Sequence, residues 1–244
     1  ARLVVANSRY TQALVKQVAP GAAVTWIPLG VDERRFSPGD THAAKQTWGV
    51  AGKRVLLSVS RVEAYKGHEM VLAALARLSG SERSQLVYLV AGTGPHLEAL
   101  REKIRSLGLD EQVRCLGNVP EVDLPTLYQA ADLFVLCTQE RPAAQAVEGF
   151  GLVFLEAQAS GVPVVGTRTG GIADAVEPGE GGWLIAEDDQ QALTTICRRL
   201  VETPAEFVHQ GQRARRRVER VGTWDQYAGR LDDELCARGL WKAA

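Results

Sequence analysis

The sequence has little of what would identify a function at once. Its 244 residues hold one methionine, four cysteines and few aromatics, at 6%. The formal net charge of -1 excludes a general nucleic-acid or polyanion binder and leaves only local basic patches. No apolar run approaches the roughly 20 residues of a membrane-crossing helix. Cys115, Cys137, Cys197 and Cys236 form no C-x-x-C pair and stand in apolar stretches, which predicts buried, reduced thiols suited to a reducing compartment rather than a disulfide framework. His42, His68, His96 and His209 are dispersed without ligand spacing, and no D-x-D pair is available for a metal–diphosphate bridge. The phosphate-loop lysine motif of nucleoside triphosphatases is also missing. The chain opens at Ala1, straight into Leu3-Val4-Val5-Ala6, with no methionine or polar leader, and is expected to be a piece of a longer protein.

What is present is an ordinary soluble composition, 45% hydrophobic and 23% charged, enough for one large core or two small ones. Ser8 is a natural N-cap for a short helix, and Val24-Thr25-Trp26-Ile27 reads as a strand before the turn Pro28-Leu29-Gly30-Val31-Asp32. From Arg54 onward apolar strands alternate with amphipathic helices. Val55 to Val59 is followed, after Lys66, by a helix whose apolar stripe is Val71, Leu72, Leu75 and Leu78. Leu86 to Val90 is followed by a helix carrying Leu97, Leu100, Ile104 and Leu107, with Gly108 to end it. Further strands are read at Val113–Leu116, Leu133–Cys137, Val162–Val165 and Trp183–Ile185. Near-continuous apolar strands alternating with helices predict a parallel sheet covered on both faces, a doubly wound, Rossmann-like α/β domain.

In such sheets ligands bind beyond the carboxyl ends of the strands, which gathers scattered polar residues into one candidate site. Arg61 and Lys66 follow one strand, Gly92-Thr93-Gly94 the next, and Thr138 another. The run Glu148-Gly149-Phe150-Gly151-Leu152-Val153-Phe154-Leu155-Glu156 lies between that last strand and its helix. Its glycines leave backbone N–H groups accessible at a helix N-terminus, which suits an anionic or hydroxyl-rich ligand, and carboxylates of this kind can accept from sugar hydroxyls. Two loop cations can hold a diphosphate from two sides and neutralise the charge that grows on it as it leaves. Gly92-Thr93-Gly94-Pro95 begins like a dinucleotide fingerprint. It lacks the third glycine, puts proline where the helix should start, and has no acidic residue closing a second strand, so a nicotinamide cofactor is not expected.

Taken in order, Ile27-Pro28-Leu29-Gly30-Val31-Asp32 with Arg35-Phe36-Ser37-Pro38, Ser60-Arg61 with Lys66-Gly67, Ala91-Gly92-Thr93-Gly94-Pro95, Leu116-Gly117-Asn118-Val119, Ala131-Asp132-Leu133-Phe134 and Glu148 to Glu156, followed by Gly161-Val162-Pro163-Val164-Val165 and Gly170-Gly171, resemble the C-terminal half of the GT-B retaining glycosyltransferases of family 4. The resemblance runs over essentially the whole chain. It implies that Arg61 and Lys66 grip the diphosphate of a nucleotide-sugar donor, that Glu156 accepts from the ribose hydroxyls, and that Glu148 faces the donor sugar. Backbone N–H groups around Gly149, Phe150, Gly151 and Leu152 would meet sugar hydroxyls and phosphate. The base would lie against Leu116-Gly117-Asn118-Val119 and the segment leading in from Arg114, with Gly92, Gly94 and Thr138 lining the donor site.

The same resemblance implies hexosyl transfer to a hydroxyl with retention at the anomeric carbon, with no metal or other cofactor required. It also implies a cytoplasmic setting and a partner Rossmann domain that carries the acceptor site and a histidine near the donor sugar. Residues 1–222 are then the donor domain, 1–30 being its opening segment, and 223–244 a helix that crosses back to the N-terminal domain. The chain alone is expected to bind nucleotide weakly without transferring sugar. Gln139 to Val147 lengthens the loop ahead of Glu148 as in similar mannosyltransferases that modify phosphatidylinositol, which favours GDP-mannose, with a UDP-sugar next. The basic stretch Arg213 to Arg220 reads as a solvated helix face, or alternatively as a peripheral contact with lipid headgroups. The competing functions are a GT-B-like epimerase or phosphorylase and a catalytically silent scaffold domain. No pyridoxal-phosphate lysine context is found, the epimerases do not share the Glu148 to Glu156 run, and intact Arg61, Lys66, Glu148 and Glu156 speak against a scaffold.

Overall fold

The computed structural model describes residues 2–141 and 146–240. Strands β1 (Val4–Ala6) and β2 (Val24–Trp26) pair in parallel around helix α1 (Arg9–Val18) as a sheet of their own, and α2 (Thr41–Thr47) follows. The main sheet is formed by β3 (Arg54–Val59), β4 (Leu86–Ala91), β5 (Val113–Gly117), β6 (Leu133–Leu136), β7 (Val164–Thr167) and β8 (Gly182–Ile185). Its six strands run in the order β5-β4-β3-β6-β7-β8, all paired in parallel. The crossovers carry α3 (His68–Ala76), α4 (Gly80–Arg83), α5 (Leu97–Ser106), α6 (Leu124–Gln129), α7 (Leu152–Ala159) and α8 (Ile172–Ala175). Helices α9 (Gln190–Glu202), α10 (Pro204–Val221) and α11 (Trp224–Ala237) come after β8.

The strands hold because both of their faces are dry. Alternate residues point to opposite sides: Leu56, Tyr88, Leu133 and Val135 pack with α3, α5 and α9, while Leu57, Leu89, Phe134 and Leu136 pack with α6 and α7. Every residue of β4 and β6 is buried, as a sheet covered on both faces requires. The strand order reverses between β3 and β6, so the loops leaving those two strands diverge and open a crevice at the carboxyl edge. Arg61 and Lys66 follow β3, and Thr138 and Glu148 follow β6.

Several local expectations are corrected. Leu78 lies beyond the end of α3, although it is still buried. Strand β7 begins at Val164 rather than Val162, because the Val162 N–H closes a turn onto Ala157 and Pro163 has no N–H to give. All four cysteines are free, but only Cys137 and Cys197 are fully buried; Cys115 and Cys236 are half-buried. Helices α2 and α4 escaped the periodicity reading because they are short and held by caps, Asp40 for the first and a Ser79–Glu82 capping box for the second.

The basic stretch on α10 divides: Arg213, Arg216 and Arg220 are exposed, while Arg215 and Arg217 turn inward. The Arg215 guanidinium donates to the backbone carbonyls of Glu33, Phe36 and Ala159 at 2.9, 3.0 and 2.7 Å. Arg217 donates to the carbonyl of Ala175 at 3.1 Å, and Arg220 grips Glu180 through both carboxylate oxygens. Ala159 and Ala175 are the last residues of α7 and α8. Two guanidiniums therefore satisfy carbonyls at the carboxyl ends of the helices whose amino ends face the crevice, where a cation also complements the helix dipole. Among the described residues no hydrogen bond or ion pair engages Arg213 or Arg216.

Replacing Arg215 by methionine would leave three carbonyls without their donor. A loss of about 2–3 kcal/mol in urea unfolding is expected. A loss below about 0.5 kcal/mol, typical of a solvated surface arginine, would contradict the capping role.

Candidate active site

Two glycines bring the loops of the carboxyl edge into backbone contact. Gly67, which ends the turn Ala64–Lys66, has a positive φ of 73°, and a methyl group there would lie 1.8 Å from the carbonyl oxygen of Cys137, just past the end of β6. Gly171 gives its N–H to the carbonyl of Glu148 at 2.8 Å, and a methyl group on it would lie 2.0 Å from the carbonyl oxygen of Gly149. The first contact sets the β3 loop against β6. The second sets the Glu148–Gly149 turn against the loop after β7.

These contacts place opposite charges together. Lys66 Nζ lies 2.7 Å from Glu148 Oε2, with side-chain exposures of 12% and 17%. The ammonium has three donors, of which Glu148 engages one, and it sits 5.1 Å from the centre of the Tyr65 ring. It is a desolvated, oriented cation with donors to spare for an anion. Arg61 is the opposite case: its side chain is 74% exposed and lightly tethered to Glu63 Oε1 at 2.6 Å, free to swing onto a ligand.

Helix α7 presents its amino end to the same crevice. Gly151 is its N-cap at a φ of 87°, no acidic side chain occupies the first turn, and of the first-turn N–H groups Phe154 donates to the carbonyl of Gly151 at 2.9 Å while Leu152 and Val153 have no partner among the described residues. Phe150 is buried in the core and anchors the turn. Beside it a cavity of about 270 Å³ is lined by Ser60, Arg61, Gly92, Asn118, Val119 and Val153, among others. Glu156 stands one helical turn beyond Val153 on α7. Burial raises its carboxyl above the ordinary range, against the hydrogen bond from Tyr128 and the charge of Arg35, while the charge of Glu121 raises it further.

The remaining sequence candidates divide. Thr138 is fully buried and its Oγ1 has no hydrogen-bond partner among the described residues, while its carbonyl accepts from Thr167 Oγ1. Leu116 packs against the core, and Gly94 abuts the carbonyl of Val62. The Arg114 guanidinium donates to the carbonyl of Gly49 at 3.0 Å, and neither Arg114 nor Glu156 is among the residues that line the cavity. Of the lengthened loop, residues 142–145 lie outside the described residues; its stem is tied by the Gln139 N–H to Tyr65 and by the Tyr10 hydroxyl to Glu140. The opening segment is also docked here, with the Arg9 N–H on Asp174 at 2.7 Å and Ser8 buried against Gly171. A roomier cavity of about 630 Å³, which Pro38, Asp132 and Arg216 line, opens at the opposite, amino edge of the sheet and holds none of the candidates.

Beneath the Arg61–Lys66 loop lies a polar chain that the sequence did not announce. Ser58 Oγ donates to the carbonyl of Val135, so the Tyr88 hydroxyl, 2.7 Å away, must donate to Ser58. Tyr88 then accepts from His68 Nδ1 at 2.8 Å, and His68 Nε2 lies 3.2 Å from Ser60 Oγ, whose hydroxyl donates to the carbonyl of Arg61 at 3.0 Å. The neutral imidazole is kept by its burial rather than by this chain. Burial, helped by the charges of His96 and Lys66, lowers His68 from 6.5 to about 4.

The model of the family described as glycosyl transferases group 1 matches residues 41–217. A GDP-mannose-dependent alpha-(1-6)-phosphatidylinositol monomannoside mannosyltransferase of Mycolicibacterium smegmatis is 33% identical over 234 residues, covering 95% of this chain and 61% of that protein. D-inositol 3-phosphate glycosyltransferase 2 of Catenulispora acidiphila is 36% identical over 242 residues, covering 89% of this chain and 55% of that protein. Among solved structures, Anabaena Alr3699/HepE in complex with UDP and glucose superposes with a TM-score of 0.84 at 26% identity, over 97% of this chain and 64% of that one. The chain thus spans 55% to 61% of the length of these two relatives.

Because His68 takes up its proton more readily unfolded than folded, it contributes stability that is present above about pH 6.5 and is lost as the pH falls towards about 4. The difference corresponds to a loss of about 3 kcal/mol across that window. His68→Gln, compared with the parent chain by urea unfolding at a series of pH values, should show a flatter pH dependence there. Identical slopes would contradict the neutral, buried assignment.

Proposed function

The chain belongs to the glycosyl transferases of group 1, and from that premise we propose that it forms the donor-binding domain of a retaining GT-B hexosyltransferase. The single observation that carries this reading is the meeting of Lys66, Glu148 and the uncapped amino end of α7 at the crevice where the strand order reverses. In the proposed reaction a nucleotide-diphosphate sugar lies with its diphosphate between Arg61, Lys66 and the N–H groups of Gly151 and Leu152. The bond from the anomeric carbon to the diphosphate breaks, an acceptor hydroxyl attacks the face that the diphosphate leaves, and its proton passes to the departing diphosphate oxygen. Charge on the departing diphosphate is met by two cations and a helix N-terminus, so this chemistry needs no metal. Glu148 shares Lys66 with the diphosphate and faces the sugar. Its carboxylate serves as an acceptor for a hydroxyl and as the partner that holds the ammonium in place.

GDP-mannose is the favoured donor. It is supported by the lengthened loop ahead of Glu148 and by the dependence on GDP-mannose in the name of the Mycolicibacterium relative. A UDP-sugar is the second reading, supported by the structural likeness to HepE with bound UDP. Gly92, Asn118, Val119 and Thr138 complete the donor site in either case. Residues 1–222 form the donor domain, and α11 returns to a preceding Rossmann domain that carries the acceptor site. The free cysteines suit a reducing, cytoplasmic setting, and Arg213 and Arg216 are left for a peripheral contact with a membrane.

Titration calorimetry with GDP, UDP and ADP identifies the base as the one bound most tightly. Replacing Lys66 by alanine should weaken nucleoside diphosphate binding by about 10- to 100-fold and leave nucleoside binding nearly unchanged. An equal fall in both would refute the diphosphate assignment. Sugar transfer by this 244-residue chain alone is not expected, and turnover by it would refute the assignment of the acceptor site to another domain.

A further inference from the structure

Glu156 is held by a residue that the donor reading does not use. Tyr128, on α6, is fully buried, and its hydroxyl donates to Glu156 Oε2 at 2.6 Å. Its ring is fixed edge-on against Phe36, with centroids 5.6 Å apart, and tilted against Phe134 at 6.0 Å. Such a ring cannot turn to a second partner without opening the core. Burial, with the carboxylate beside it, raises the phenol well above its ordinary value, so the hydroxyl is protonated at any working pH. A phenol has one proton, and here it is committed to one carboxylate oxygen. The other oxygen, Oε1, has no hydrogen-bond partner among the described residues and is not among their sealed, unpartnered atoms.

We propose that Tyr128 is a positioning residue for ribose recognition: it holds Glu156 Oε2 and so presents Oε1 as the acceptor for the hydroxyls of the donor's ribose. This rests on the reading of Glu156 as the ribose acceptor. A carboxylate on a helix would otherwise sample several rotamers, and a hydroxyl ligand would have to select one of them at an entropic cost. Tyr128 removes that freedom beforehand. The phenol also makes a charge-assisted hydrogen bond, which favours the ionised carboxylate that burial opposes. Arg35 acts in the same direction and Glu121 against it. The consequence is a preference for ribonucleotides over their deoxy counterparts that depends on a residue touching neither the base nor the phosphate.

The test is calorimetric titration of the chain, Tyr128→Phe, Glu156→Gln and the double variant with GDP and UDP and with their 2′-deoxy and 3′-deoxy forms. Phenylalanine keeps the ring contacts with Phe36 and Phe134, and thermal unfolding verifies that each variant is folded. Y128F is expected to weaken binding of the ribonucleotide about 5- to 20-fold and that of a deoxy form less than about 2-fold, with E156Q doing the same and the double variant adding nothing further. Equal weakening of ribo and deoxy forms by Y128F, or an unchanged preference in Y128F while E156Q loses it, overturns the proposal and leaves the ribose reading standing. An unchanged preference in E156Q overturns the ribose reading itself.

Discussion

The candidate site depends on a contact that no side chain makes: the backbone of Gly67 lying against the carbonyl of Cys137, where a methyl group would have 1.8 Å of room. That contact fixes the separation of the two loops that leave the sheet at its reversal point. Lys66 precedes Gly67 and is thereby brought to Glu148, 82 residues away in sequence. The positive φ of Gly67 turns the chain directly into α3, whose first residue, His68, plugs into the polar chain under the Arg61–Lys66 loop. One steric constraint thus sets the cation, its carboxylate partner and the support beneath them.

Helix α7 is the second element whose position matters, and it is held at both ends. Its amino end is fixed by the Glu148–Gly149 turn against Gly171 and by buried Phe150. Its carboxyl end is held by Arg215, whose guanidinium also gathers the carbonyls of Glu33 and Phe36. A helix N-terminus serves as an anion site only if it does not recoil from the ligand. Tying the far end to α10 supplies that rigidity without placing any group in the site. The same helix carries Glu156 on its next turn, so the proposed phosphate donors and ribose acceptor share one rigid mount.

Much of the fold was legible in the sequence because its information is local. Strands buried on both faces read as apolar runs, and Ser8 caps α1 by accepting from the Thr11 N–H as its residue type suggests. The candidate site was legible to the extent that topology determines it: once the strands are parallel, Arg61, Lys66 and Glu148 must share an edge. What escaped depends on contacts distant in sequence. Arg215 and Arg217 look like a solvated basic face until α7 and α8 end beneath them. Asp132 reads as part of a motif, yet its carboxylate ties Lys45 at 2.6 Å and the N–H of Val55 at 2.7 Å. Tyr128 is indistinguishable in sequence from a core aromatic, and only the approach of α6 to α7 gives its hydroxyl a partner. The bond from the Arg114 guanidinium to the carbonyl of Gly49 is likewise invisible in the sequence.

A nucleoside diphosphate is expected at the carboxyl edge and not in the roomier cavity at the amino edge. Backbone amide spectra of the isotopically labelled chain, recorded during titration with GDP and UDP, test it most directly. The account predicts that the largest shifts fall on Arg61 to Gly67, Gly92, Asn118 and Gly149 to Val153. Shifts clustered instead on Pro38, Asp132 and Arg216, or none at millimolar nucleotide with the chain folded, would contradict it.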